Sequence, residues 1–246
     1  MGDNASEVNA RAAVYGLLAL AYHGPPDAAL VSRIDSCAKI AVEAGLARIG
    51  RMLAELPLLA REEPAERTRQ DFHDLFMVPG PSYVAPYESV YRDAPIEARG
   101  RLSPRTFGPS TQAVTAFYGR VGLQVSQTYT ELPDYVGLEL ACMEYLCIRE
   151  AQYLEARSYE AAARARALEC SFLREHLSVW LPSLEARIRE KAKTAYFRAL
   201  ASLTTAWVRE EANRANGKSG PFEEAAREAA RTCGAGSAGA EASGIS

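Results

Sequence analysis

The side chains of this 246-residue sequence best suited to metal binding or nucleophilic attack are His23, His73 and His176, with Cys37, Cys142, Cys147, Cys170 and Cys233. Metal chemistry needs several such ligands converging at short helical or loop spacings. Here each histidine stands in a different segment without Glu or His at ligand spacing, and no C-x-x-C, E-x-x-H or H-E-x-x-H motif occurs. No metal or other cofactor is therefore expected. His73 is expected to pair with a neighbouring Asp, and His176, one turn before Trp180, to pack on that ring. There is no G-x-S-x-G elbow and no G-x-x-x-x-G-K-[ST] loop, and the "PGPS" run lacks the lysine that would hold a phosphate. The adjacent acids Glu62/Glu63 and Glu210/Glu211 diverge on a helix surface and read as solvated charges.

One constellation suits peptide binding. Tyr83, Tyr87 and Tyr91 with Pro81 and Pro86 offer rigid surfaces that bury apolar side chains at little entropic cost. Glu131, Asp134 and Glu139 stand around the start of "ELPDYVGLEL", beside an exposed-looking Tyr135. Together they would form an apolar groove with an acidic rim. The competing reading makes Pro133 the first helical residue, with Glu131 and Asp134 stabilised by the helix dipole, each by roughly 0.3–1 kcal/mol. On spacing alone the cap is favoured.

The elements that must position these residues are helices, because the apolar periods are three and four residues and alternating strand patterns are nearly absent. A first helix is expected over about Ser6–Tyr22, stopped by "HGPP". Asp27 caps a second that leads, with a break, to Pro57. A helix after Pro64 carries "DFHDLF" and ends before Pro79. From Val78 to Pro109 the chain holds six of its 13 prolines and three tyrosines, a long loop whose aromatic content argues for a functional rather than a disordered segment. Helices resume at Ser110 or Thr111, at Pro133, at Ser158 and at Pro182. The last is read as one core helix through Leu184, Ile188, Ala192, Ala195, Ala199, Leu203 and Ala206. The expected architecture is all-α, a single helical domain over residues 1–215 and a flexible Gly/Ala-rich tail over 216–246, helical around Phe222–Arg231.

Composition agrees: 48% hydrophobic and 24% charged residues suit a packed globular domain. A net charge of −3 and a pI near 5.8 leave no basic excess for a phosphate backbone, so nucleic acid is excluded as a partner. The odd, scattered cysteines read as reduced thiols of a cytoplasmic protein, and the apolar run Ala12–Tyr22 is too short to span or anchor to a membrane. The myristoylation-like "MGDNAS" and the sequon "NAS" within it are read as inert.

Five motifs in order, "DFHDLFMVPG", "APYESVYR", "ELPDYVGLELACMEYL", "FLREHLSVWLPSL" and "AYFRALASLTTAWV", closely resemble the TorD/DmsD/NarJ family of molybdoenzyme maturation chaperones over residues 10–209. That resemblance implies an all-helical TorD-like bundle and no catalysis. It implies a cytoplasmic chaperone that binds the twin-arginine leader, and the apo form, of the catalytic subunit of a DMSO-reductase-type, molybdopterin-containing oxidoreductase until cofactor insertion and assembly precede export. A NarJ-like assembly factor for a non-exported enzyme is the alternative within the family. A helical nucleotide hydrolase is the alternative from another class, and the missing phosphate loop opposes it. The family's aromatic-x-x-Leu-Phe motif falls on Phe72, Leu75 and Phe76, and its acidic-Pro-Asp-His signature on Glu131, Pro133, Asp134 and Tyr135, with Tyr in place of the usual His. The peptide-binding set so implied is Phe76, Tyr83, Pro86, Tyr87, Glu88, Tyr91, Glu131, Pro133, Asp134, Tyr135 and Glu139. A monomer or a domain-exchanged dimer is expected.

Overall fold

The computed structural model of the chain describes residues 4–93, 108–126 and 128–217. Among them the regular elements are helices: α1 (Ala5–Ala21), α2 (Ala28–Glu43), α3 (Ala47–Glu62), α4 (Ala65–Phe72), α5 (Glu88–Arg92), α6 (Pro109–Val121), α7 (Val136–Glu155), α8 (Tyr159–Phe172), α9 (Ser178–Lys191) and α10 (Ala195–Gly217). The all-α expectation holds. None of these helices is long and apolar enough to cross a membrane. Residues 94–107 of the expected Val78–Pro109 loop, the expected Phe222–Arg231 helix and the expected tail beyond Gly217 lie outside the described residues, and the described part of that loop is interrupted by α5.

Local chemistry explains most boundaries. Asn4 accepts the Glu7 amide at 2.8 Å to start α1, and Asp27 accepts the Leu30 amide at 2.7 Å to start α2. Gly45, at φ +82°, turns the chain from α2 into α3, and Gly122, at φ +79°, closes α6 in the left-handed conformation that glycine adopts without strain. Four expectations change. Pro57 lies inside α3, and Pro182 lies inside α9 rather than opening it. The expected single core helix from Pro182 to Ala206 is two helices, broken at Ala192–Thr194 where the backbone turns extended. And α7 begins at Val136, not Pro133, because Tyr135 is extended and paired with a distant segment.

Two five-residue π-helical turns were not foreseen. One, His73–Met77, continues α4; the other, Leu173–Leu177, joins α8 to α9. Such turns leave backbone carbonyls free for outside donors. The core is built by α1 along α7, α7 on α8, α2 on α3 and α9 on α10, around Trp180, Trp207, Tyr15, Tyr196, Phe117 and Phe172. Each of these large side chains is buried, and fully burying an apolar side chain of this size contributes about 1.5–3 kcal/mol.

At its centre, against expectation, sits a network of charge. Arg11, fully enclosed on α1, donates to Glu211 at 2.7 Å, to Glu150 at 3.0 Å and to Glu169, and Arg166 reaches Glu169 at 2.6 Å. Glu211, read above as a solvated charge, is therefore buried and paired. The signal was present: on α1, Arg11 stands one turn from Tyr15 and two from Leu18, a charge on the apolar face. Cys37, Cys142 and Cys147 are buried and unbridged, and Cys170 is half-buried.

Candidate functional site

The motifs at 71–80, 85–92, 131–146, 172–184 and 195–208 are distant in sequence but tied to one another by hydrogen bonds. The segment before α5 and the segment before α7 form an antiparallel bridge, Tyr87 opposite Tyr135. The Glu88 amide donates to the Asp134 carbonyl at 3.0 Å, and the Val136 amide to the Pro86 carbonyl at 2.9 Å. Asp134 Oδ2 then accepts the Ser89 amide at 2.8 Å. Asp134 is thus a helix cap, though of α5 rather than of its own helix. Its side chain is fully buried, so the expected placement on an exposed acidic rim does not hold for it.

The same holds for Glu88 and Glu139, both fully buried. Glu88 bonds His176 Nδ1 at 2.9 Å and receives Arg92, whose other contact is the Glu175 carbonyl at 2.9 Å, on the second π turn. His176 packs on Phe172 and Phe117, not on Trp180 as expected, because Glu88 turns it the other way. Trp180 instead stacks on Tyr91, ring centroids 5.5 Å apart, and donates Nε1–H to Glu139 at 3.0 Å. Burial, and then the neighbouring Glu88, holds the Glu139 carboxyl well above the usual carboxylate range. These three acids are struts.

The first motif is fastened likewise. The Val84 amide donates to the Leu75 carbonyl at 2.8 Å, on the first π turn. Asp71 accepts the Lys193 and Thr194 amides at 3.0 and 2.8 Å, which caps α10 from outside and explains the break at Ala192–Thr194. Phe76 is buried against Tyr22, Phe72 and Phe197.

What this scaffold presents outward is a strip of half-buried tyrosines around one carboxylate. Tyr87 donates its hydroxyl to Glu131; Tyr135, exposed-looking in the sequence, is instead buried at 6% exposed, its ring tilted against Tyr87 with centroids 5.7 Å apart and its hydroxyl donating to the Tyr22 carbonyl. His23, unassigned in the sequence, lies against Tyr135 at 5.4 Å and bonds the Tyr129 hydroxyl. Burial first, and then Glu131, raises the Tyr83 phenol and takes that of Tyr129 to about 12. Glu131 is half-buried and has no ion-pair partner among the described residues. Pro86 is buried and Pro133, whose carbonyl accepts the Tyr118 hydroxyl at 3.0 Å, is half-buried. Close by, Met77 and Val78 are 54% and 56% exposed.

Residues 38–186, more than half of the chain, match the family described as the nitrate reductase delta subunit. The chain belongs to that family. A protein named chaperone protein TorD from Shewanella piezotolerans is 27% identical over 84% of this chain and 93% of its own length. The TorD of Shewanella pealeana is 28% identical over 65% of this chain, and the match spans 66% of the relative. That of Aeromonas salmonicida is 30% identical over 63% of this chain and 64% of its own length. These relatives are chaperones and not enzymes, in line with the non-catalytic expectation. A solved structure from Archaeoglobus fulgidus, assigned as a candidate redox enzyme maturation protein, is 14% identical with a TM-score of 0.45, over 85% of this chain and 96% of that one. That likeness is too loose to add to the fold.

Proposed function

We propose that the chain is a cytoplasmic chaperone that holds the N-terminal leader of a molybdopterin-containing catalytic subunit before assembly and export. The observation carrying this reading is the partly exposed Glu131 set among Tyr83, Tyr87, Tyr129 and Tyr135. Aromatic faces attract cations, and a carboxylate beside them answers an arginine through charge-assisted hydrogen bonds. The exposed Met77 and Val78 supply apolar surface for the rest of a leader. In this reading Tyr83, Tyr87, Tyr91 and Glu131 meet the peptide, while Phe76, Pro86, Glu88, Pro133, Asp134, Tyr135 and Glu139 hold the strip in shape.

Calorimetry with a synthetic twin-arginine leader tests it. Tyr87→Ala is expected to cost about 2 kcal/mol, roughly thirtyfold in affinity, and Glu131→Gln to weaken binding and flatten its salt dependence. Unchanged affinity in both variants would move the site elsewhere. The name of the matched family favours a second reading, an assembly factor for an enzyme that is not exported. A leader with both arginines replaced by glutamine separates the two: undiminished binding supports the second.

A further inference from the structure

A trough of about 300 Å³ opens between the end of α6 and the facing sides of α7 and α8, lined by Arg120, Tyr145, Arg149, Tyr153, Arg164 and smaller apolar side chains. Position 149 lies about 18 Å along the α7 axis from Gly137, so this surface is separate from the tyrosine strip. In a chain of net charge −3, three arginines with no carboxylate among the lining residues form a local excess of positive charge. Neutral groups hold two of them. Arg120 lies over the Phe117 ring at 4.7 Å from its centroid. Arg149 lies over Tyr153 at 4.8 Å, and donates to its hydroxyl at 2.5 Å and to Gln152 at 3.1 Å. Arg164 reaches one acid, Glu160 at 3.7 Å, with both side chains largely exposed, a pairing of little energetic consequence.

We propose that this trough is a second binding surface, and that its occupant is an acidic segment of a partner protein. Guanidinium groups preset by ring stacking match carboxylates and lose little entropy on binding them. The arrangement fits dispersed carboxylates better than one phosphate. Arg120, Arg149 and Arg164 stand on three different helices, α6, α7 and α8, and the end of α6 at the trough presents carbonyls, that of Val121 accepting the Tyr145 hydroxyl at 3.3 Å. From Tyr145 to Tyr153 the floor runs about 12 Å, the reach of roughly four extended residues. The proposal is independent of the leader reading.

The test is titration of the full chain with hexaglutamate, hexaglutamine and pyrophosphate, at low and at physiological salt. Saturable hexaglutamate binding is expected, weakened by salt and at least about tenfold weaker in an Arg120→Glu/Arg164→Glu variant, where attraction becomes repulsion. Both positions are exposed, so an unchanged thermal melt and unchanged leader affinity should accompany the loss. Hexaglutamate binding no better than hexaglutamine, binding undiminished in the variant, or saturation by pyrophosphate alone would each overturn the proposal.

Discussion

Glu150 is where a single protonation reports on the interior. Burial, and then the Glu169 carboxylate, push its pKa from the ordinary 4.5 up to about 8 despite Arg11. The folded state therefore keeps a proton that the unfolded chain releases, so this group makes stability fall as pH rises from about 4.5 to about 8. Glu139 acts in the same direction, whereas Glu169, held below its ordinary range against burial by Arg11 and Arg166, contributes stability that is lost only on acidification. Glu150→Gln keeps the shape and removes the titration. The melting temperature of the variant is expected to depend less steeply on pH between these limits; an unaltered slope would show that Glu150 is already ionised when folded. Little of this was legible beforehand, because a carboxylate's surroundings are set by helices remote in sequence.

At the scale of the element, α5 is the case in point. Five residues cannot sustain a helix alone in water. It is held by the Asp134 cap, by Glu88 on His176 and by Tyr91 on Trp180. Asp134→Ala is expected to cost about 1 kcal/mol and Asp134→Asn only a few tenths, since the amide oxygen still accepts from Ser89. Because α5 starts at the bridge that carries Tyr87, the alanine variant should also weaken leader binding while the asparagine variant binds as the native protein does; thermal melts and calorimetry read the two effects. Weakened binding in the asparagine variant would instead give the buried carboxylate a direct role. Periodicity and capping had identified α1 nearly to the residue, and the starts of α2, α6 and α8. It could not show the break at Ala192–Thr194, where apolar spacing continues but Asp71 takes the amides.

At the scale of the whole molecule, Arg11 joins the first helix to the seventh, eighth and tenth. Replacing it by Leu would leave Glu150, Glu169 and Glu211 facing one another without their central cation. Removing one partner from a buried charge network typically costs about 3–5 kcal/mol. For a chain of this size each kcal/mol lowers the melting temperature by about 2–4 °C, so a drop of roughly 10 °C is expected. An Arg11→Leu/Glu211→Gln double variant should recover part of it. A melt within about 2 °C of the native protein in the single variant would mean that water or Arg166 replaces the guanidinium.

The sequence by itself determined that the chain is helical, where α1, α2, α4, α6 and α8 begin, and which five motifs the family resemblance rests on. Those are local matters: side-chain period, capping residues and the order of short patterns along one strand of text. Only the tertiary structure decided what the motif acids do. Glu88, Asp134 and Glu139 looked like a rim and are struts, Glu211 looked solvated and is enclosed, and Glu131 alone of the expected acids remains open to a ligand. The physical reason is that burial of a charged side chain depends on which partner meets it, and those partners lie 41 residues away for Glu139, 45 for Asp134, 88 for Glu88 and 200 for Glu211.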